Sequence, residues 1–214
     1  MRGIRAMDVS RLIVFVGLAA SCTLQLASAQ NSFGGPPVSP APPPPSKGVS
    51  PDTRPGATAA SDAERKDFGV VAKSELHDGA MHGPTPVSIP GAQIITTQAL
   101  VEMRRGANSR VLVFDVLGGA EALPGALAAV PAHRPGSFDD AVQKEFGQYL
   151  QQVTQGSKDV PMVFYCQSVQ CWMSYNASLR AVKLGYSRVL WYRGGIEAWK
   201  QAGQPVQAMH GPMR

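Results

Sequence analysis

Cysteine is scarce in this chain, which limits the thiol and metal chemistry open to it. The 214 residues contain three cysteines, Cys22, Cys166 and Cys171. Metal binding by Cys166 and Cys171 would need further ligands, and none of the four histidines adjoins either residue in sequence. No metal site is therefore predicted.

Positive charge and aromatic residues are also too few for a nucleic-acid-binding surface. The formal net charge is +5. Three arginines and one aspartate of this balance lie in residues 1–29, so the rest of the chain carries +3. No basic cluster with interleaved aromatic side chains occurs, and binding to nucleic acid is not predicted.

No apolar run is long enough for a stable membrane span, but the N-terminus has the pattern of an export signal. Three arginines precede the apolar residues 12–20, and a small-x-small sequence follows at residues 27–29. We therefore expect a signal peptide over residues 1–29 and a periplasmic location, where thiols are readily oxidised. A lipid anchor at Cys22 has less support, because residues 19–21 lack a large aliphatic side chain.

Proline and glycine are abundant, with 18 and 22 residues, and nine of the prolines fall in residues 30–66. Such a segment has too few apolar side chains to form a core, so its composition predicts an extended, disordered linker. From Asp67 the composition becomes that of a globular domain, which we expect to span residues 67–210.

The globular part alternates strand patterns with amphipathic helix patterns. Nearly continuous apolar runs, typical of strands covered on both faces, occur at residues 111–116, 162–165 and 189–192. Helix patterns are expected to begin at Thr97, Ser137, Ser174 and Ile196. This alternation predicts an α/β fold with a parallel sheet.

Cys166 lies where the strand at residues 162–165 ends and a helix begins. Ligands of open α/β sheets bind at this edge, and a helix N-terminus stabilises a thiolate or a bound anion. Asp115 ends the preceding strand and is expected to organise neighbouring loops through hydrogen bonds. Arg193 ends the following strand, where it either draws an anionic substrate toward Cys166 or is a solvated turn charge.

One short sequence, Ala-Met-His-Gly-Pro, occurs at residues 80–84 and again at residues 208–212. Methionine and histidine suit soft metals such as copper. The repeat lies outside the predicted core elements and lacks a dense cluster of ligands. Local turn chemistry or coincidence is the favoured interpretation.

Several features occur in one order along the chain: the strand with Asp115, a Leu-Pro-Gly-Ala turn, the strand before Cys166, and a Gly-Gly sequence followed by Trp199. This order, and above all residues 192–206, resembles the rhodanese-like domain. Residues 84–92 with their prolines, and residues 164–174, resemble more narrowly the exported rhodanese-like CXXCW motif proteins associated with PQQ-dependent alcohol catabolism. The likeness covers roughly residues 80–207.

The resemblance implies a rhodanese-like three-layer fold, a parallel sheet flanked by helices. Cys166 would carry a persulfide sulfur, cradled by the N–H groups of the loop that follows. The implied substrate-binding residues are Gln167, Ser168, Val169, Gln170 and Trp172. The strand-end position of Arg193 adds it as a further candidate. The implied partners are a sulfane-sulfur donor or thiol substrate, and a periplasmic PQQ-dependent dehydrogenase or its cytochrome partner. No bound cofactor is implied.

Two loop residues depart from the family pattern: Val169 replaces a frequent Gly, and Cys171 replaces a frequent Arg or Ser. Three interpretations stay open. They are sulfur transfer by Cys166, thiol–disulfide chemistry with Cys171 as the resolving partner, and a non-catalytic partner-binding module with a structural Cys166–Cys171 disulfide. A Cys-x5-Arg phosphatase loop is excluded, because Trp172 occupies the arginine position.

Overall fold

Five short parallel strands form the central sheet. Their bounds are β1 Gln93–Ile94, β2 Leu112–Asp115, β4 Leu127–Ala128, β5 Met162–Tyr165 and β6 Val189–Tyr192. In this computed structural model, which describes residues 33, 62–106 and 110–209, the spatial order is β1-β6-β5-β2-β4. A separate antiparallel pair joins β3, Glu121–Ala122, to β7, Gln207–Ala208. The predicted parallel sheet is confirmed.

Helices connect these strands. Their bounds are α1 Thr97–Arg105, α2 Ala141–Val153, α3 Met173–Lys183 and α4 Gly195–Gln201, with a 3₁₀ turn at Val130–His133. Helix α2 begins later than predicted because Asp140, not Ser137, caps it: Asp140 Oδ1 accepts the N–H of Gln143 at 2.7 Å. Thr96, not Thr97, caps α1 in the same way.

The sheet buries both faces, because successive side chains of each strand point to opposite sides. One face packs with α1 and α4 and contains Val113, Val163, Tyr165, Leu100, Ile196 and Trp199. The other packs with α2 and α3 and contains Phe114, Met162, Phe164, Phe146, Leu150, Ala177 and Ala181. Cys166 continues the alternation of β5 onto this second face. The thiol of Cys166 therefore lies in the layer between the sheet and helices α2 and α3.

The ordered domain extends N-terminal to the predicted boundary at residue 67. Residues 62–65 form a helical turn, and Glu64 is 4% exposed. Its carboxylate accepts the N–H of Thr97 at 3.0 Å, so it binds the first turn of α1. Phe33, also within the predicted linker, is fully buried against Phe146 and Tyr149 of α2. A proline-rich composition does not reveal such single anchoring contacts.

The predicted signal peptide and Cys22 lie outside the described residues, as does most of the predicted linker. Among the described helices, none is both long and apolar enough to cross a membrane.

Candidate functional site

Three predicted site residues lie at the carboxyl ends of neighbouring strands: Asp115 ends β2, Cys166 follows β5 and Arg193 follows β6. The register pairs Tyr165 of β5 with Asp115 of β2 on one side and with Tyr192 of β6 on the other. Cys166 and Arg193 are the next residues of β5 and β6. The carboxyl ends of these strands therefore meet around the loop between Cys166 and α3, which we call the thiol loop (residues 166–172).

The carbonyl groups at the start of the thiol loop point toward α4. Cys166 O accepts the N–H of Ile196 at 3.0 Å, and Gln167 O accepts the N–H of Glu197 at 3.0 Å. The first turn of α4 thus obtains acceptors for N–H groups that a helix leaves unpaired. Its N-terminus is consequently occupied by loop carbonyls, which removes it as a binding site for an anion.

Gly195 allows this close approach. Its φ is +63°, and a Cβ atom added there would lie 2.5 Å from both Cys166 O and Gln167 O. A side chain at this position would therefore be strained and would also push the thiol loop away from α4.

The later carbonyl groups of the thiol loop point toward an N-terminal segment, residues 73–85, which we call the covering segment. Val169 O accepts the hydroxyl of Thr85 at 2.6 Å, and Gln170 O accepts the N–H of Gly83 at 2.8 Å. In the opposite direction, Trp172 N–H donates to Met81 O at 2.9 Å, and His82 pairs with Cys171 in an isolated antiparallel bridge. The first copy of the short repeat is therefore part of the site.

The covering segment is also tied to α3. Asn176 accepts the N–H of His77 at 2.8 Å and donates to His77 O at 2.9 Å. Tyr175 OH accepts the N–H of Lys73 at 2.9 Å and donates to Lys73 O at 2.7 Å. The imidazole of His77 stacks on Trp172 with ring centroids 4.1 Å apart. As a result, Cys166 and Cys171 are each only 1% exposed.

Cys166 and Cys171 influence each other's protonation. The neighbouring Cys166 thiol is the main cause that lowers the pKa of Cys171 to about 6, against the opposing effect of burial, and the backbone amides of Gln167 and Met173 act in the same direction.

The thiol of Cys166 donates to the carbonyl oxygen of Cys171 at 3.2 Å. Burial, followed by the neighbouring Cys171 sulfur, raises the pKa of Cys166 well above its ordinary value. Both cysteines are free thiols in the structure.

A hydrogen-bonded chain from β6 reaches Cys166. Trp191 Nε1–H donates to Ser174 Oγ at 3.0 Å, and Ser174 Oγ lies 3.1 Å from Cys166 Sγ. Indole nitrogen is a donor only, so the Ser174 oxygen accepts from Trp191 and its own proton is free to point at the sulfur. Trp191 and Ser174 were not predicted as site residues, although a buried indole N–H requires a partner.

Arg193 has a different placement from the one predicted. Its guanidinium is buried and donates through Nε to Thr85 Oγ1, through Nη2 to Thr85 O and through Nη1 to Glu64 O, at 2.9, 2.9 and 2.6 Å. The alternative of a solvated turn charge is therefore wrong, whereas the attraction of an anion toward Cys166 stays a prediction. Arg193 fastens the covering segment to β6.

Trp172 also differs from its predicted role. Its amide donates to Met81 O, so it does not contribute to the cradle, and its ring packs under His77. Asp115 organises the loop after β2: its Oδ1 accepts the N–H groups of Leu117 and Gly118 at 2.8 and 3.2 Å. Burial raises the pKa of Asp115.

The remaining loop residues lie closer to solvent. Ser168 Oγ accepts the N–H of Gln170 at 3.3 Å, and the Gln167 amide donates to Glu197 at 2.8 Å. Gln167 lines an open cleft of about 520 Å³ that also contacts Glu121 and Lys200, but neither cysteine lines it. This cleft therefore does not expose either thiol.

The described residues contain no cluster of three or more His, Cys, Asp or Glu side chains that could hold a metal ion. The bridge to Cys171 does place one histidine, His82, next to the thiol pair. The sequence did not predict this neighbour, because His82 lies far from Cys171 along the chain.

A cysteine after a central parallel strand, enclosed by a short loop that leads into a helix, defines a thiol-bearing α/β domain. Residues 88–202 match the family described as "Rhodanese-like domain", and the chain belongs to that family. It is also 37% identical over 76 residues to a protein of Allochromatium vinosum described as "Sulfurtransferase". That match covers 36% of this chain and 69% of the relative.

Solved structures with a similar fold have low sequence identity to this chain. The rhodanese-like domain of an Anabaena protein is 15% identical, with a TM-score of 0.41, over 58% of this chain and 86% of that one. A thiosulfate sulfurtransferase of Pseudomonas aeruginosa is 14% identical, with a TM-score of 0.42, over 56% of this chain and 21% of that one.

Proposed function

We propose that this protein is a sulfurtransferase whose sulfur-handling site is the thiol pair of Cys166 and Cys171. The observation that carries the proposal is the buried pair of free thiols at the carboxyl end of β5, in which Cys166 Sγ lies 3.2 Å from Cys171 O and 3.1 Å from Ser174 Oγ. A thiolate is the nucleophile in sulfur transfer, and donors aimed at its position also stabilise the negative terminal sulfur of a persulfide.

The chemistry takes place in two steps. A thiolate of the pair attacks the sulfane sulfur of a donor such as thiosulfate, forming a protein persulfide and releasing sulfite. The second thiol then attacks the inner sulfur of the persulfide, which forms the Cys166–Cys171 disulfide and releases hydrosulfide. An external dithiol reductant restores both thiols. An acceptor thiol that removes the outer sulfur before the second step would leave the pair reduced.

Intact-mass measurement tests the function. The reduced protein is treated with thiosulfate or a small alkyl persulfide, and the mass is recorded with time. We expect a species heavier by one sulfur atom in the native chain and none in the double variant Cys166→Ser, Cys171→Ser. No such species with either donor in the native chain would overturn the proposal and favour a partner-binding module.

Export and a role beside a quinoprotein are part of the proposal. The arginine-flanked apolar segment at residues 12–20 supports export to the periplasm, and residues 164–174 support an accessory role in PQQ-dependent alcohol oxidation. Deletion of the gene in the source organism is expected to slow growth on a primary alcohol but not on succinate. Equal growth of deletion and parent strains on both carbon sources would contradict the quinoprotein association.

A further inference from the structure

We propose that the hydroxyl of Ser174, oriented by the indole N–H of Trp191, is a catalytic group that stabilises negative charge on the sulfur of Cys166 during sulfur transfer. The role rests on the proposed function. It is carried by hydrogen bonds that run in one direction from β6, through the first turn of α3, to the residue that follows β5.

Ser174 lies in the first turn of α3, where a serine side chain commonly caps the helix by accepting a backbone N–H. Here the helix begins one residue earlier, at Met173, and its N-terminus has no side-chain cap. The hydroxyl of Ser174 points instead across to the strands: its Oγ lies 3.0 Å from Trp191 Nε1 and 3.1 Å from Cys166 Sγ. Ser174, Trp191 and Cys166 are each at most 1% exposed. The side chain of Ser174 therefore serves the thiol site and not the helix end.

The number of protons fixes the direction of these bonds. The indole nitrogen of Trp191 can only donate, so Ser174 Oγ accepts from it. The thiol of Cys166 has one proton, which it donates to Cys171 O at 3.2 Å. The sulfur of Cys166 therefore accepts the hydroxyl proton of Ser174. Ser174 contacts the reacting sulfur, and Trp191 is a positioning residue that acts through Ser174.

A hydrogen bond to this sulfur becomes stronger when the sulfur is charged. In the transfer step Cys166 loses its proton to water, the thiolate forms a bond to the sulfane sulfur of thiosulfate, and sulfite leaves with the electron pair of the broken bond. Negative charge is thus present on Cys166 Sγ before the attack. Burial raises the pKa of Cys166, and the hydroxyl and backbone amide of Ser174 act in the opposite direction. Ser174 therefore offsets part of the cost of forming a buried thiolate.

Alkylation of Cys166 as a function of pH tests this role without any sulfur donor. Iodoacetamide is applied to the full-length Cys171→Ser chain from about pH 6 to about pH 10, and the Cys166 peptide is quantified by mass spectrometry. This background removes the titratable side chain that acts on Cys166 and keeps the backbone oxygen that accepts its thiol. His82, which faces residue 171 from the covering segment, is common to all variants. The limiting rate at high pH reports the opening of the covering segment, whereas the pH midpoint reports the proton affinity of Cys166.

Ser174→Ala in this background is expected to raise the pH midpoint by about one unit, which makes alkylation at neutral pH about tenfold slower. Persulfide formation from thiosulfate should slow by a similar factor. Ser178→Ala is the matched control, because it removes a buried hydroxyl of the same helix that bonds to Ser174 O and not to a sulfur. Its midpoint should equal that of the background chain. Equal midpoints in Ser174→Ala and Ser178→Ala would overturn the role of Ser174.

Trp191→Phe tests the orienting bond, since it keeps a buried aromatic ring and removes the N–H. We expect a smaller rise of the midpoint when Ser174 is present. In the Ser174→Ala chain the same substitution should leave the midpoint unchanged, because Trp191 acts through the hydroxyl. An equal shift in both backgrounds would show that Trp191 acts on Cys166 by packing, which overturns its positioning role.

The outcomes separate this role from the sulfurtransferase function. A persulfide in the native chain, with an unchanged midpoint in Ser174→Ala, leaves the function standing and overturns the role of Ser174. A raised midpoint in Ser174→Ala, with no persulfide in the native chain, supports the stabilisation of the Cys166 thiolate and overturns the function. A lower limiting rate with the midpoint unchanged also overturns the role, because Ser174 would then affect only the opening of the covering segment.

Discussion

His82 and Cys171 face each other across an isolated antiparallel bridge, although 88 residues separate them in the chain. The bridge belongs to a network of hydrogen bonds through which residues 73–85 cover the thiol loop and leave each cysteine 1% exposed. Reaction at the thiols therefore requires this segment to open, so its opening equilibrium controls the rate at which any reagent reaches them.

The side-chain amide of Asn176 binds the covering segment to α3. It exchanges two hydrogen bonds with the backbone of His77 and donates a third to His133 O at 2.9 Å. Asn176→Ala is expected to raise the alkylation rate of both thiols by about tenfold, because opening then costs less free energy. Gln143→Ala, which removes a buried amide on α2, is the control and should change that rate little. An unchanged rate in Asn176→Ala would show that substrates enter by another route.

Arg193 is predicted to stabilise the covering segment rather than to recruit an anion. Replacing it with Gln breaks three buried hydrogen bonds of a charged group, and we expect a loss of about 2 kcal/mol or more in the free energy of unfolding by urea. The ionic-strength dependence of persulfide formation with thiosulfate should stay as in the native chain. If persulfide formation in Arg193→Gln depended less on ionic strength than in the native chain, Arg193 would instead attract the thiosulfate anion.

Lys200→Gln provides the comparison for that stability measurement. Lys200 pairs with Glu121 at the surface, where both side chains are about half exposed. Its replacement is expected to cost less than about 1 kcal/mol. A similar cost for the two variants would mean that Arg193 is solvated in solution.

Gly195 is predicted to be irreplaceable for the thiol loop. Gly195→Ala brings a methyl group against Cys166 O and Gln167 O and strains a residue at φ +63°. Gly125→Ala is the matched control, because Gly125 has φ +71° but nothing within 4 Å of the added atom. We expect Gly125→Ala to lose about 1–3 kcal/mol and Gly195→Ala to lose clearly more, with faster alkylation of Cys166. Equal losses in urea denaturation would mean that the carbonyl contacts are unimportant.

Sequence patterns predicted the frame of the site accurately. The bounds of β5 and β6 agree with the apolar runs at residues 162–165 and 189–192. A strand buried on both faces consists of apolar side chains throughout, so the ends of the apolar run mark the ends of the strand. Helix starts were less accurate, since Asp140 and Ser137 are both good capping residues and only the observed bonds distinguish them.

The arrangement around the sulfurs could not be predicted. The covering segment joins the loop through backbone groups of Met81 and Gly83, and such bonds leave little trace in residue type. The role of Arg193 depends on Thr85 and Glu64, which are more than 100 residues away in sequence. The loop carbonyls accept hydrogen bonds from α4 and from the covering segment, and these contacts depend on where both elements lie.

The most direct test of the account is a single turnover of the reduced protein with one equivalent of thiosulfate. Intact mass, free thiols and released sulfide are measured together over time. The account predicts a persulfide that rises and then decays as two thiols per chain disappear and one hydrosulfide is released. A chain that keeps both thiols and never gains a sulfur atom would contradict it.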